Sequence, residues 1–311
     1  MTNDTIGVDV SKDHLDAYRM SDGAGRRFTN DAAGHTALLD WLGLPDARIV
    51  YEPTGPYHRS FERRLADDGF ALVKVNPRQA RRFAEATGKL AKTDRLDAAM
   101  LARMGALLEL EARPARSPIL NDLKDLHMAR QALVKSRTAA KNRAKNLTLP
   151  ILKRHNAEQL RQIERQIGAI ETESMALVKA DPDLAHRFAI LVSIPGISAN
   201  TAFALLIDMP ELGALENGQA ASLAGLAPVA RQSGNWTGRA FIRGGRANVR
   251  QALYMPALVA MRFNPDLKAK YDQLIAAGKP AKKAITAIMR KLVVLANALL
   301  RDGRNWTPSL P

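Results

Sequence analysis

Hydrophobic and β-branched positions dominate residues 5–11, Thr-Ile-Gly-Val-Asp-Val-Ser, and predict a strand. Two more short strands follow over 14–20 and 26–30, parted by the turn Ser21-Asp22-Gly23. The pattern then becomes helical over 31–42, with Asp31 placed to cap the first turn. A strand over 48–51, a helix over 57–67, a strand over 71–75 and a helix over 94–108 complete the first third. From 120 to 146 the chain lacks Gly and Pro, and Leu126, Leu133, Ala140 and Leu147 recur at heptad spacing. Beyond Pro150, Leu160, Ile163, Ile167, Ile170 and Leu177 form a comparable seam, broken at Ser174. Together they predict an antiparallel helical hairpin or coiled coil. In the last third, Pro195-Gly196 separates two helices in a helix-hairpin-helix pattern, the second spanning 200–207. A loop-rich stretch covers 225–250, and a helix over 281–300 aligns Ile285, Ile288, Leu292, Leu295 and Leu299 on one stripe.

Charge divides the same chain differently. Lys and Arg number 46 against 31 Asp and Glu in 311 residues, a formal charge of +15. Residues 1–110 hold 16 basic and 16 acidic side chains, 111–182 hold 14 and 8, and 183–311 hold 16 and 7. The whole excess therefore lies in the second and third segments, which points to a polyanion partner, nucleic acid before a membrane surface. The expected division is 1–112, 113–182 and 183–311. Zero cysteines exclude disulfides, thiol catalysis and Cys-ligated zinc. No apolar run approaches the ~18 residues of a membrane span, and the first residues lack a signal-peptide pattern. The expectation is a soluble, cytoplasmic protein with no membrane partner.

Strands, helices and acids combine in the first segment. Three strands, helix, strand, helix, strand, helix is the element order of a ribonuclease H-like domain. Asp9 interrupts an apolar strand, where a carboxylate is costly unless it binds something. Glu52 ends the fourth strand, and Asp94 and Asp97 project from one helix face. Each acid alone has a plain structural use, as a cap or an exposed ion-pair partner. As a set they would repel one another unless a divalent cation sat between them, and hard oxygen donors favour Mg²⁺ or Mn²⁺. Two such ions ~4 Å apart stabilise the attacking and leaving oxygens of a phosphodiester.

The other two segments supply cations and a hydroxyl. Nine basic residues and one acid lie between Lys124 and Arg154, so the hairpin is either internal packing or a dimerisation arm that also lays cations on nucleic acid. No acid occurs between Glu216 and Asp266, where Arg231, Arg239, Arg243, Arg246 and Arg250 fall without a lysine. Arginine alone suits bidentate phosphate recognition, and Gly244-Gly245 before a helix allows close backbone approach to an anion. Ser233 stands amid this charge beside Gly234, in a setting that is more often a turn than a nucleophile.

Gly7-Val8-Asp9-Val10-Ser11-Lys12, Tyr51-Glu52-Pro53-Thr54-Gly55, Lys92-Thr93-Asp94-Arg95-Leu96-Asp97-Ala98, and Gly225-Leu226-Ala227-Pro228 with Ser233-Gly234 together resemble the DEDD transposases of the IS110 insertion-sequence family. The resemblance spans nearly the whole chain. It implies a RuvC-like domain, a coiled coil and a C-terminal transposase domain, in that order. It implies Mg²⁺ held by Asp9, Glu52, Asp94 and Asp97, and Ser233 attacking DNA to form a phosphoserine link. It also implies a guide RNA pairing with target and donor DNA, and a homo-oligomer, a dimer or tetramer, in which one subunit's serine meets another's carboxylates. The alternative is a RuvC-like endonuclease that uses water as nucleophile, with Ser233 structural.

Overall fold

The computed structural model describes residues 4–88, 94–108, 110, 112, 117–230, 232–233, 236–238 and 240–308. They fall into two compact units, Met1–Arg116 and Ser117–Pro311. The first comprises β1 (Thr5–Val10), β2 (His14–Arg19), β3 (Gly25–Thr29), α1 (Ala32–Leu42), β4 (Arg48–Tyr51), α2 (His58–Asp67), β5 (Ala71–Lys74), α3 (Pro77–Ala86) and α4 (Asp94–Leu107). The expected elements form within a residue of their expected ends, and α3 is additional. Its start, an Asn76 side chain accepting from the Arg78 N–H at 2.9 Å with Pro77 next, is a regular helix entry. Ala80 is buried, and Phe83 and Ala84 at i+3 and i+4 pack beside it, so the helical period is present but rests on three apolar positions among three arginines.

The sheet runs β3-β2-β1-β4-β5, with β1 antiparallel to β2 and parallel to β4. Strand alternation sends Ile6, Val8, Leu15, Phe28, Ile49 and Tyr51 to one face, in a core with Leu38 of α1 and Phe61 and Leu65 of α2. Val50 and Val73 point to the other face and pack with Ala80 of α3 and Met100, Leu101 and Met104 of α4. Two glycines let α4 lie directly on this second face. A Cβ on Gly7 would stand 1.9 Å from the Ala98 carbonyl oxygen, and one on Gly105 2.3 Å from Val50 Cγ2. Ala98 thus sits over Gly7 while Gly105 sits over Thr5 and Val50. The helix therefore runs counter to β1, and its first turn lies toward the end of β1 that carries Asp9.

The second unit contains α5 (Pro118–Ala144), α6 (Pro150–Ala180), α7 (Pro182–Ser193), α8 (Ala199–Asp208), α9 (Asn217–Leu223), β6 (Pro228–Val229), β7 (Gln232–Ser233), β8 (Trp236–Thr237), β9 (Phe241–Ile242), α10 (Ala247–Phe263), α11 (Pro265–Ala276) and α12 (Ala281–Asp302). The long helices α5 and α6 are antiparallel, tied by Arg130 to Glu171 at 2.7 Å and Arg143 to Gln159 at 3.0 Å. Between them Asn156 is buried and donates to the Ala140 carbonyl at 3.2 Å.

Leu123 of α5 and Val178 of α6 enter the same core as α7, α8, α10 and α12. Ile285, Ile288, Leu292 and Leu299 of the stripe in α12 are buried there. The hairpin thus folds within the second unit. The Asp181-Pro182 junction, where the charge pattern sets a division, is a helix cap: Asp181 accepts from the Leu184 N–H at 3.0 Å, and proline opens α7. Ser117-Pro118 opens α5 in the same way. No helix among the described residues is long and apolar enough to cross a membrane.

Candidate active site

Parallel register brings two of the expected carboxylates together. Val8 of β1 lies opposite Tyr51 of β4, so the next step along each strand sets Asp9 beside Glu52. The ladder persists past the end of β5, where the Val75 N–H donates to the Tyr51 carbonyl at 3.0 Å. Asp9 shares the face of Gly7, and Glu52 follows from the alternation that aims Val50 at α4, so both belong to the face that α4 covers. Asp97 is in the first turn of α4, one residue before the Ala98 that rests on Gly7. Asp94 begins this helix, and its side chain lies outside the described residues. No group of three or more His, Asp or Glu close enough to hold a metal ion occurs among the described residues. The donor chemistry of Asp9 and Glu52, hard carboxylate oxygens at adjacent strand ends, fits a divalent cation such as Mg²⁺ or Mn²⁺.

The opposite face braces the end of β4. Lys74 donates to Glu62 at 2.7 Å, and His58 Nε2 is 3.5 Å from the same Glu62 oxygen. Tyr51 is fully buried here, and burial pushes its hydroxyl far above the ordinary phenol range. Burial, with the neighbouring Lys74 charge, also holds His58 below the usual imidazole value. The carbonyl end of β4, from which Glu52 departs, is thus set by a packed aromatic and an ion pair.

In the second unit the stretch read as a loop contains paired strands. β6 pairs antiparallel with β9, and β7 with β8, where Ser233 is opposite Trp236. Two-residue strands have too little alternation to be seen in sequence. Ser233 is exposed on β7, and Gly234 after it is outside the described residues. Arg231 and Arg239 are also outside them, and Arg243 is exposed.

The remaining two arginines have partners within the chain. Arg246 holds Glu211 in a fork, at 2.6 and 2.7 Å, and donates to the Asp208 carbonyl at 2.7 Å. The bond to Glu211 raises its pKa further. Arg250 donates to the Gly244 carbonyl at 2.9 Å. The glycine pair likewise serves packing. A Cβ on Gly245, whose φ is +62°, would stand 2.2 Å from the Gly225 nitrogen. Glycine here lets one loop lie on another. The sequence signal for this was present but ambiguous, because glycine permits close approach to an anion and to a second backbone alike.

Two family models match this chain: a DEDD transposase model over residues 6–152, and a second, for transposases of the IS116/IS110/IS902 family, over 188–272. The chain belongs to the IS110 family of transposases. The DEDD match includes Asp9, Glu52, Asp94 and Asp97, and the second includes Ser233 and the five arginines. This IS110-family protein is 29% identical to the pilin gene-inverting protein of Moraxella bovis over 317 residues, 98% of each chain. The corresponding protein of Moraxella lacunata matches at the same identity and coverage. The 43.6 kDa protein of insertion element IS110 from Streptomyces coelicolor is 30% identical over 166 residues, 53% of this chain and 40% of its own. As a family member the protein is a transposase or recombinase, and DNA is its partner.

Proposed function

We propose that this transposase cleaves and rejoins DNA through Ser233, with Asp9, Glu52, Asp94 and Asp97 holding Mg²⁺ or Mn²⁺. The observation that carries the reading is the register that sets Asp9 beside Glu52, on the face covered by the helix that begins with Asp94 and Asp97. The sheet order β3-β2-β1-β4-β5, with helices on both faces, supports a RuvC-like domain over 1–112. The hairpin over 113–182 and the transposase domain over 183–311 complete the proposed organisation.

A bound divalent ion supplies charge neutralisation at the phosphodiester and lowers the pKa of a hydroxyl next to it. The chain's own part begins with Ser233, whose oxygen forms a bond to phosphorus as the bond to a deoxyribose oxygen breaks. The serine proton is lost and the departing oxygen gains one. The phosphodiester energy is retained in the serine link, so the reverse attack by another strand's hydroxyl rejoins DNA without an external energy source. Exposure of Ser233 on the short β7–β8 ladder supports its delivery to a site on another subunit. A homo-oligomer and a guide RNA complete the reading, both from family resemblance. The full-length match to proteins named for gene inversion supports site-specific exchange as the outcome.

The test is incubation with DNA and Mg²⁺ followed by denaturation. The expected result is a protein–DNA adduct that disappears in Ser233→Ala and in Asp9→Asn. Free nicked ends with Ser233→Ala still active would assign the reaction to water and overturn the serine's role.

A further inference from the structure

We propose that Asn30 is a positioning residue for the carboxylate site, tying together the two loops that follow Asp9 and Glu52. This rests on the reading of Asp9 and Glu52 given above. The register between β1 and β4 ends at Val8 and Tyr51. Both acids therefore lie one residue past the last paired position, where the parallel ladder no longer fixes the separation of the two strand ends. Two carboxylates in that place repel, and the repulsion acts to spread the ends until a cation arrives.

One amide bridges the chain beyond that point. Asn30, between β3 and α1, donates from Nδ2 to the Ser11 carbonyl at 2.8 Å and to the Tyr57 carbonyl at 3.0 Å. Ser11 follows Asp9 in the turn from β1 to β2, and Tyr57 follows Glu52 in the connection from β4 to α2. An amide NH₂ has two hydrogens, one for each carbonyl. The same chemistry fixes its orientation, because a carbonyl only accepts and the atom facing two of them must be the nitrogen. Oδ1 then faces His35 Nε2 at 2.9 Å, and that nitrogen carries the proton it donates. His35 is only 4% exposed, and its ring meets Phe61 of α2 edge-on at 6.4 Å, so the core sets its position. The Asn30 backbone is held as well, its N–H donating to the Asp13 carbonyl at 2.9 Å.

A plain loop staple would join either connection to the body of the domain. Asn30 joins the two to each other, and they are the two that carry the acids. Without the bridge Asp9 and Glu52 relax apart, and a cation must draw them back together, which weakens its binding. Groups that orient metal ligands from outside the ligand set change affinity by ~10–100-fold when lost. Asn30 thus acts through Ser11 and Tyr57, and His35 acts through Asn30.

The test measures Mn²⁺ binding to the full-length protein by calorimetry without DNA, the melting temperature, and protein–DNA adduct formation across an Mn²⁺ series. Asn30→Ala is expected to weaken Mn²⁺ binding roughly tenfold. Half-maximal adduct formation should move to higher Mn²⁺ by a similar factor, with the yield restored at saturation. Asn30→Asp, which keeps the shape but turns carboxylate oxygens on both carbonyls, is expected to lose at least as much. His35→Phe, which keeps a ring in the core and removes the donor, is expected to lose less. Leu42→Ala, in the same core at the far end of α1, is expected to lower the melting temperature with parental Mn²⁺ affinity. Parental Mn²⁺ affinity in Asn30→Ala, with only the melting temperature lowered, would reduce Asn30 to a loop staple and overturn the proposal. If that variant does not fold, parental affinity in His35→Phe overturns it, as does an equal loss of affinity in Leu42→Ala. Parental Mn²⁺ binding in Asp9→Asn would instead overturn the carboxylate-site reading, whatever Asn30 does to stability.

Discussion

Arg243 and Arg246 are three residues apart and meet different surroundings. The fork of Arg246 closes on Glu211 and on the Asp208 carbonyl, joining the root of the β-hairpin to the end of α8. Arg246→Ala should destabilise the protein by about 1–2 kcal/mol, because a half-buried, charge-assisted fork to Glu211 is lost. Thermal melting of Arg246→Ala against the parent measures this. Arg243 is exposed on the same segment. Arg243→Ala should leave the melting temperature alone and lower the salt slope of DNA binding by about 1. Sequence alone ranks these arginines equally, since each precedes or opens the same helix amid positive charge. What separates them is an acid 35 residues upstream in the chain, a pairing that no local pattern encodes.

At the scale of elements, the first unit depends on how closely α4 approaches the sheet. Strand β1 has a glycine where a strand former is expected, and the reason appears only across the layer, at Ala98. Gly7→Ala would force a Cβ into the Ala98 carbonyl and displace the helix. The expected cost is about 1–3 kcal/mol, as in other overpacked contacts, read by chemical denaturation. Since Asp97 rides on the same turn as Ala98, DNA cleavage should fall by more than the lost stability explains. A Gly7→Ala protein that is less stable yet fully active would separate the helix from the chemistry. Most helices and strands here were legible because alternation and capping are local: Asp31 does accept from the Gly34 N–H, at 2.8 Å. Helix α3 has the period too, in Ala80, Phe83 and Ala84, but it is short and dominated by charged positions; the two short ladders around Ser233 were not legible, because two-residue strands leave no periodic trace.

At the scale of the whole chain, three histidines make stability depend on pH in one direction. His35, His58 and His127 are each held below the ordinary imidazole pKa, chiefly by burial. The unfolded chain therefore binds protons near pH ~6.5 that the folded chain refuses. Stability should be full above that pH and should decline as pH falls from it toward the folded values. Melting temperatures at pH 7.5 and 5.5 check the sign, and a protein more stable at 5.5 would contradict it. His127 belongs to Ser117–Pro311 and the other two to Met1–Arg116, so both units should show the effect. Composition and periodicity were enough to read a basic chain without cysteine, an α/β first unit, a helical remainder and a set of suspect acids, because these follow from neighbours in sequence. The approach of Asp9 to Glu52, the Asn30 bridge from Ser11 to Tyr57, and the internal pairing of Arg246 required the folded chain. Strand register and cross-layer contact depend on how distant segments pack, and the same residue types suit several such arrangements until packing selects one.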